Sequence, residues 1–276
     1  MTETDPEYLQ QVEEWRANRL ERLKSPTGWL TLAGLYPLAQ GPNSLGSAPD
    51  NACVLPVGAP ERVGVVRLVG DSVVFSAAPG LQVWLDSALV DSVEMVPDPL
   101  EDAVVLRFAD RFEFLHILRA GKHYIRLKDR EAQALKDFDS IPHYPVNVAW
   151  RIEGRWESYN PPRKAIVPNI LGFDTETLIV GAAVFEWNGK SYRLEPDDSG
   201  EALFFVFGDA TNGKETYGGG RFMYLEPPDS SGLVVLDFNK AYNPPCVFSD
   251  YATCPLPRPE NKLPFAVEAG EKRYGH

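Results

Sequence analysis

The sequence contains few cysteines and no long apolar run, and each absence excludes a class of protein. Three cysteines in 276 residues are too few for a disulfide-stapled fold, so we expect them to be reduced. The best apolar stretch, from Leu178 to Trp187, is interrupted by Gly181 and Glu186 and is shorter than the roughly 18 residues of a membrane span. The first residues are acidic, whereas a secretory signal starts with basic ones. These features favour a cytoplasmic protein.

Basic residues are outnumbered by acidic ones. Lys and Arg total 27 while Asp and Glu total 39, which gives a formal net charge of −12. A chain this acidic repels phosphate backbones and anionic lipids, so nucleic acids and membrane surfaces are poor partners. The hydrophobic content of 44% is ordinary for a globular protein, which excludes a mostly disordered chain.

Several common catalytic and nucleotide-binding signatures are missing. The chain has no Gly-x-Ser-x-Gly motif, no His-Glu-x-x-His motif and no Gly-x-Gly-x-x-Gly motif between a strand and a helix. Residues 208–214 match a phosphate-binding loop up to Lys214, but Glu215 follows where Ser or Thr would hold magnesium. We interpret this stretch as a turn between strands. No metal site is predicted, and the cofactors and the oligomeric state stay open.

The remaining pattern is typical of a β protein preceded by one helix. Asp5 can cap a helix whose apolar residues recur at three- and four-residue spacing from Tyr8 to Leu23. After it, short runs of β-forming residues alternate with turn residues, and the strongest hairpin signal is Asn188-Gly189. No helical segments alternate with these strands. The sequence therefore predicts a mainly β fold, an antiparallel barrel or a two-sheet sandwich with an N-terminal α-helix.

The domain boundary is weakly marked. Residues 1–128 are predicted to form the N-terminal helix and a β-hairpin region, and residues 129–276 a β region with a Pro-rich C-terminal loop. The polar stretch from Asp129 to Pro145 favours a linker with a short helix. One continuous domain of two packed sheets fits the pattern almost equally well.

Proline is the residue in excess. The chain has 24 prolines, roughly 9% against about 5% on average, and 8 of them lie in residues 227–264. Because proline removes an amide donor and restricts the residue before it, most of this segment is predicted to be a rigid, irregular loop. The loop could cover a sheet edge as a structural segment, or it could build a site on the β scaffold. We favour the site, because loops often carry function.

The candidate site residues lie in this loop or shortly before it. The catalytic candidates are Asp237, Cys246 and Glu260. The ligand-binding candidates are Arg221, Asn239, Tyr242, Asn243, Cys254 and Asn261. We predict that Tyr242, Cys246, Glu260 and Asn261 share one connected cleft, because a single stiff loop carries them.

Alternatives stay open for the charged and sulfur-bearing candidates. Arg221 directly follows three glycines and could hold an anionic group or pair with an acidic neighbour. Cys246 and Cys254, eight positions apart, could be buried structural thiols, metal ligands, or a nucleophile or redox pair. The acidic residues could provide two close carboxylates with separated pKa values, or they could be solvated at strand ends.

Several segments resemble one prokaryotic family. Asp237–Cys246 reads DFNKAYNPPC, and the segments YATCPLP at 251–257, PEN at 259–261 and EAGEK at 268–272 follow it. Residues 209–218 with 220–221, 167–169 and 28–30 fit as well. The chain thus resembles, over most of its length, the family called domain of unknown function 1684. The resemblance implies no established activity, but it singles out the C-terminal loop.

Two functional hypotheses follow. In the first, the chain is a cofactor-free or metal-assisted hydrolase acting on a small polar or anionic molecule held at the Pro-rich loop. In the second, it is a non-catalytic β module that binds a small molecule or a protein partner through the same loop. A pocket where at least two ionisable groups converge would favour the first, and a flat face rich in Tyr and Pro would favour the second.

Overall fold

The computed structural model describes residues 5–98, 100 and 102–275. Strands account for 44% of the protein and helices for 14%, so the predicted mainly β fold with an N-terminal helix is confirmed. The chain divides into two compact units. Leu23–Phe138 with Ser249–Ala252 form the N-terminal unit, and the other described residues form the C-terminal unit. None of the helices in the described ranges has the length and apolar character needed to cross a membrane.

The N-terminal unit contains two sheets and the short helix Gln133–Asp137. Its strands, in chain order, are Leu32–Pro37 (β1), Gly41–Gly46 (β2), Cys53–Val54 (β3), Gly64–Val69 (β4), Ser72–Ala77 (β5), Val83–Leu85 (β6), Ala88–Leu89 (β7), Ser92–Glu94 (β8), Val105–Phe108 (β9), Phe112–Arg119 (β10) and Lys122–Asp129 (β11). One sheet has the order β1-β11-β10-β9-β6-β7 and the other β3-β2-β4-β5-β8. All these pairings are antiparallel except that of β2 with β3.

A shared apolar core joins the two sheets of this unit. Phe75 from β5 and Phe114 from β10 are fully buried in one cluster, with their ring centroids 5.0 Å apart. Along β4, buried residues alternate with more exposed ones, as expected for a strand with one face toward a core. The arrangement is that of a two-sheet sandwich.

The C-terminal unit contains most of the N-terminal helix and the remaining strands. The helix is Pro6–Lys24 (α1), of which the residues up to Arg22 belong to this unit. The strands are Arg151–Pro168 (β12), Asp174–Trp187 (β13), Lys190–Leu194 (β14), Asp198–Ser199 (β15), Leu203–Phe207 (β16), Arg221–Leu225 (β17) and Leu233–Asp237 (β18). They form the antiparallel sheets β14-β13-β12-β18 and β15-β16-β17.

Local sequence signals explain two of these elements. Asn188 and Gly189 both have positive φ angles, 48° and 73°, and connect β13 to β14 through the pair Trp187 and Lys190. This is the two-residue hairpin that the Asn-Gly pair predicts. Helix α1 buries Tyr8 and Val12 from its apolar stripe, and the Tyr8 hydroxyl donates a hydrogen bond to Asp237 Oδ1 at 2.7 Å. The helix thus packs in the C-terminal unit, whereas the sequence placed it in the first β region.

Candidate functional site

The Pro-rich segment after β18 has little regular structure. It contains three 3-10 turns, Phe238–Lys240, Pro245–Val247 and Pro259–Asn261, and isolated bridges such as Phe222 with Tyr242 and Gly208 with Lys262. Most of its order therefore comes from side chains and from single backbone contacts. These contacts decide which of the predicted residues can meet a ligand.

Three asparagines of the segment are completely buried and bond to main chain. Asn261 accepts a hydrogen bond from the Glu195 amide at 2.9 Å and donates to the carbonyls of Glu195 and Val206 at 2.8 and 3.0 Å. Asn239 bonds both the amide and the carbonyl of Asn147, each within 3.0 Å. Asn243 donates to a carbonyl as well, that of Lys272 at 2.8 Å. These amides cross-link the segment to the rest of the unit.

Arg221 is also completely buried. Its Nη2 donates to Asp209 Oδ2 at 2.8 Å, and both side chains are 0% exposed. The same guanidinium donates to the carbonyls of Val267 and Ala269. The pairing with an acidic neighbour, one of the two alternatives for Arg221, is thus present, and it fixes the chain near Val267.

Tyr242 and Asp237 belong to two further networks. The Arg19 guanidinium lies over the Tyr242 ring, 4.4 Å from its centroid, and Arg19 is itself paired with the buried Glu271. Burial raises the pKa of the Tyr242 hydroxyl far above its usual range. Asp237 accepts from the Tyr8 hydroxyl, while Asn239 donates to the same hydroxyl at 2.9 Å.

A cluster of charges that the sequence did not single out surrounds Arg258. Arg258 Nη1 donates to Glu195 Oε2 at 2.8 Å, and its Nε donates to Asp197 Oδ1 at 2.7 Å. Burial alone would raise the pKa of Glu195, but hydrogen bonds from Arg258, Tyr159 and Arg163 outweigh it and lower that pKa. At Asp197 burial wins over the contact with Arg258, so its pKa is raised.

An open groove lies beside this cluster. We call it the loop groove; its volume is about 310 Å³, and its lining residues are Arg163, Lys164, Ala165, Ile166, Arg258, Pro259 and Glu260. Strand β12 supplies one side, and the turn Pro259–Asn261 with Arg258 supplies the other. The side chains of Arg163, Lys164 and Glu260 are 40%, 71% and 50% exposed, whereas that of Arg258 is 1% exposed. The groove therefore combines one fixed cation with three accessible charged groups.

Cys246 and Cys254 meet in a separate place. The Cys246 amide donates to Cys254 Sγ at 3.1 Å, and neither cysteine lines the loop groove. Cys254 is buried and Cys246 is half-buried. A hydrogen bond from Cys254, helped by one from Tyr217, lowers the pKa of the Cys246 thiol although burial opposes it.

The predicted residues are thus distributed over several networks. Glu260 lines the loop groove, while Asn261 is completely buried, does not line the groove and bonds Glu195. Tyr242 contacts Arg19, and Cys246 contacts Cys254. Among the residues that the structure describes, no group of three or more His, Cys, Asp or Glu side chains could hold a metal ion.

Comparison with known proteins places the chain in a family. A family model described as "Protein of unknown function (DUF1684)" matches residues 136–272. An uncharacterised protein of Haloarcula marismortui, solved by NMR in solution, is 35% identical; the match covers 50% of this chain and 78% of that one, with a TM-score of 0.41. The chain belongs to the DUF1684 family. Every predicted site residue lies within the DUF1684 match.

Two other solved structures match a smaller part of this DUF1684 protein. One is a crystal structure of the FhaA FHA domain complexed with the intracellular domain of Rv3910, and the other comes from an analysis of phosphothreonine-dependent FHA domain interactions. Both are 18% identical to this chain, with a TM-score of 0.24. The first match covers 34% of this chain and 97% of the other chain, and the second covers 36% and 96%. No curated protein matches the chain.

Proposed function

We propose that this DUF1684 protein binds a small anionic ligand in the loop groove. The observation that carries the proposal is the convergence of Arg163, Lys164 and Arg258 on one groove of about 310 Å³. That volume is at the lower end of the range for small-molecule sites, roughly 300 to 1,000 Å³. Each of the three cations also has a carboxylate partner, Glu195 for Arg163 and Arg258 and Glu176 for Lys164. A ligand anion would therefore share the exposed Arg163 and Lys164 with these partners, and binding would be specific to the groove because the chain as a whole, with a net charge of −12, repels anions.

Arg258 supports the proposal as a fixed positive charge in the groove wall rather than as a direct contact, because its side chain is only 1% exposed. Glu195 and Asp197 fix its Nη1 and Nε, so its position costs no further ordering on binding. Arg163 donates to the same Glu195 and keeps part of its side chain exposed at the groove. Glu260 adds a carboxylate at the rim, which favours a ligand that carries an ammonium or hydroxyl group beside its anionic group.

The contacts of the two acidic groups favour binding over hydrolysis. Glu195 and Asp197 have pKa values shifted in opposite directions, the pattern of a general base and a general acid. However, their side chains are only 5% and 4% exposed, and Glu195 already accepts from Arg163, Arg258 and Tyr159. A reacting group must come within hydrogen-bond reach of its substrate. The hydrolase hypothesis would therefore need Glu260, which lines the groove.

A thermal-shift screen tests the proposal. The full chain is heated with small organic acids, inorganic phosphate, amino acids, sugars and nucleotides, since a ligand that binds only the folded state raises the unfolding temperature by mass action. We expect stabilisation by at least one small anion, and a several-fold weaker affinity in Lys164→Ala. Lys190→Ala removes an exposed lysine of the same unit outside the groove lining and is the matched control.

A second variant, Glu260→Gln, distinguishes a purely anionic ligand from one that also carries an ammonium group. Glu260→Gln should strengthen binding of a purely anionic ligand by removing a like charge, and weaken binding of one that also carries an ammonium group. If no anion stabilises the protein, or if Lys164→Ala and Lys190→Ala respond alike to the same anion, the groove is not the binding site.

A further inference from the structure

The backbone around Cys246 and Cys254 is fixed on both sides. Cys254 accepts a hydrogen bond at its carbonyl from the Ile170 amide at 3.0 Å, and the next residue, Pro255, forms a bridge with Asn169. Cys246 lies in the 3-10 turn Pro245–Val247. Pro245 directly precedes Cys246 and Pro255 directly follows Cys254, and both prolines limit backbone rotation, so the two cysteines are held in a defined arrangement.

The two sulfur atoms form one polar unit with Tyr217. The amide of Cys246 points at Cys254 Sγ, 3.1 Å away. The thiol of Cys254 and the hydroxyl of Tyr217 form hydrogen bonds with the Cys246 sulfur, and these bonds stabilise its thiolate. None of these three residues lines the loop groove, so this arrangement does not depend on it.

Exposure gives the two cysteines different roles. Cys246 is half-buried and is therefore the more accessible of the two, whereas Cys254 is 3% exposed. The third cysteine, Cys53, lies in the N-terminal unit at 1% exposure, and burial raises its pKa to about 11. The chain therefore offers one accessible thiol with a buried thiol beside it, and one inert thiol as an internal reference.

We propose that Cys246 and Cys254 are a redox-active dithiol that exchanges with low-molecular-weight disulfides. The Cys246 thiolate attacks one sulfur of the small disulfide, a mixed disulfide forms, and the other sulfur leaves as a thiolate. Cys254 then loses its proton to that thiolate and attacks Cys246 Sγ, which expels the second sulfur as a thiolate; this thiolate takes up from the solvent the proton that Cys246 released on ionising. The protein dithiol loses two electrons and two protons, and the small disulfide is reduced to two thiols.

Equilibration in glutathione redox buffers tests the proposal on the full chain. After an acid quench, intact mass and peptide mapping should show the loss of two hydrogens and a link between Cys246 and Cys254, with Cys53 still a thiol. The reduced protein provides a second readout. At neutral pH Cys246 should be alkylated at least about tenfold faster than Cys53, because Cys246 is half-buried with a lowered thiol pKa, whereas Cys53 is 1% exposed and its pKa is raised to about 11.

Single variants assign the two roles. Cys254→Ser should trap one glutathione on Cys246 as a stable mixed disulfide, and Cys246→Ser should take up no glutathione. Cys53→Ser should react with oxidised glutathione like the unmodified chain. Tyr217→Phe should slow alkylation of Cys246 without changing that of Cys53. The proposal is overturned if folded wild-type protein keeps both thiols in oxidised glutathione while the denatured chain loses them, or if Cys246→Ser traps the adduct instead.

Discussion

Replacing Arg221 by methionine should destabilise the C-terminal unit strongly. The substitution removes a guanidinium that is completely buried and leaves Asp209, also 0% exposed, with an unpaired carboxylate oxygen. Breaking a buried ion pair from one side typically costs about 3–5 kcal/mol, since the remaining charge keeps its desolvation penalty. The carbonyls of Val267 and Ala269 lose a donor as well. We therefore expect a loss of at least about 3 kcal/mol in the free energy of unfolding.

Hydrogen exchange at increasing denaturant is the suitable assay, because a chain with two compact units need not unfold in one step. Peptides covering residues 265–273 should lose protection in Arg221→Met, while peptides from β10 and β11 serve as an internal reference. Asp209→Asn in the same chain removes the stranded charge, so the double variant should recover part of the loss.

The matched control is Arg193→Ala. Its ion pair with Glu157 is about half exposed, with side-chain exposures of 51% and 31%, and such pairs contribute about 0–1 kcal/mol. Wild-type protection at residues 265–273 in Arg221→Met would refute the reasoning. The guanidinium would then not anchor the C-terminal segment, and its alternative role of holding an anionic ligand would gain support.

Three further predictions concern stability. Asn239→Ala should lower the free energy of unfolding by about 1–3 kcal/mol, because the amide and carbonyl of Asn147 lose their hydrogen bonds to the buried Asn239 side chain. Glu260→Ala should leave that free energy unchanged, since Glu260 is half exposed. Urea unfolding of both variants measures the difference. Gly220→Ala should destabilise more than Gly189→Ala in the same assay, because both have positive φ but only a Cβ at Gly220 would meet backbone, 2.6 Å from the Phe207 carbonyl oxygen. Burial lowers the pKa of His116, so as the pH falls the unfolded state binds a proton at this residue before the folded state does. Protonation therefore favours unfolding. Protection of β10 in hydrogen exchange should be constant above about pH 6.5 and should decrease below it.

The elements that the sequence predicted well are those encoded by adjacent residues. The Asn188-Gly189 turn needs two positive φ angles, and its chemistry is local. Strand β2 carries no such local signal, because Gly41, Pro42 and Asn43 are turn formers and only the pairing with β4 makes them a strand. An apolar stripe on a helix shows which face is buried but not against what. The contact between Tyr8 and Asp237 spans 229 positions, a separation that periodicity does not encode.

The cluster around Arg258 was missed because its members are dispersed. Glu195 and Asp197 flank a proline at the end of β14, which reads as a solvated turn, and Arg258 lies more than 60 positions later. The sequence did direct attention to the segment that carries Arg258 and Glu260. It gave no reason to connect that segment with Arg163 and Lys164 on β12, which is the juxtaposition that makes the loop groove.

The density of polar side chains among the prolines has a structural cause. A segment without a strand ladder leaves main-chain groups that need other partners when buried, and proline supplies no amide donor of its own. Asn239, Asn243 and Asn261 donate to carbonyls in this unit, and so does Arg221. Such side chains replace the missing ladder, so their presence in a Pro-rich loop is weak evidence for a ligand. The informative groups are those that main chain does not saturate and that a solute can reach. Of the predicted site residues on this loop, Glu260 is half exposed and Cys246 is half-buried, so these two fit that description better than the buried asparagines.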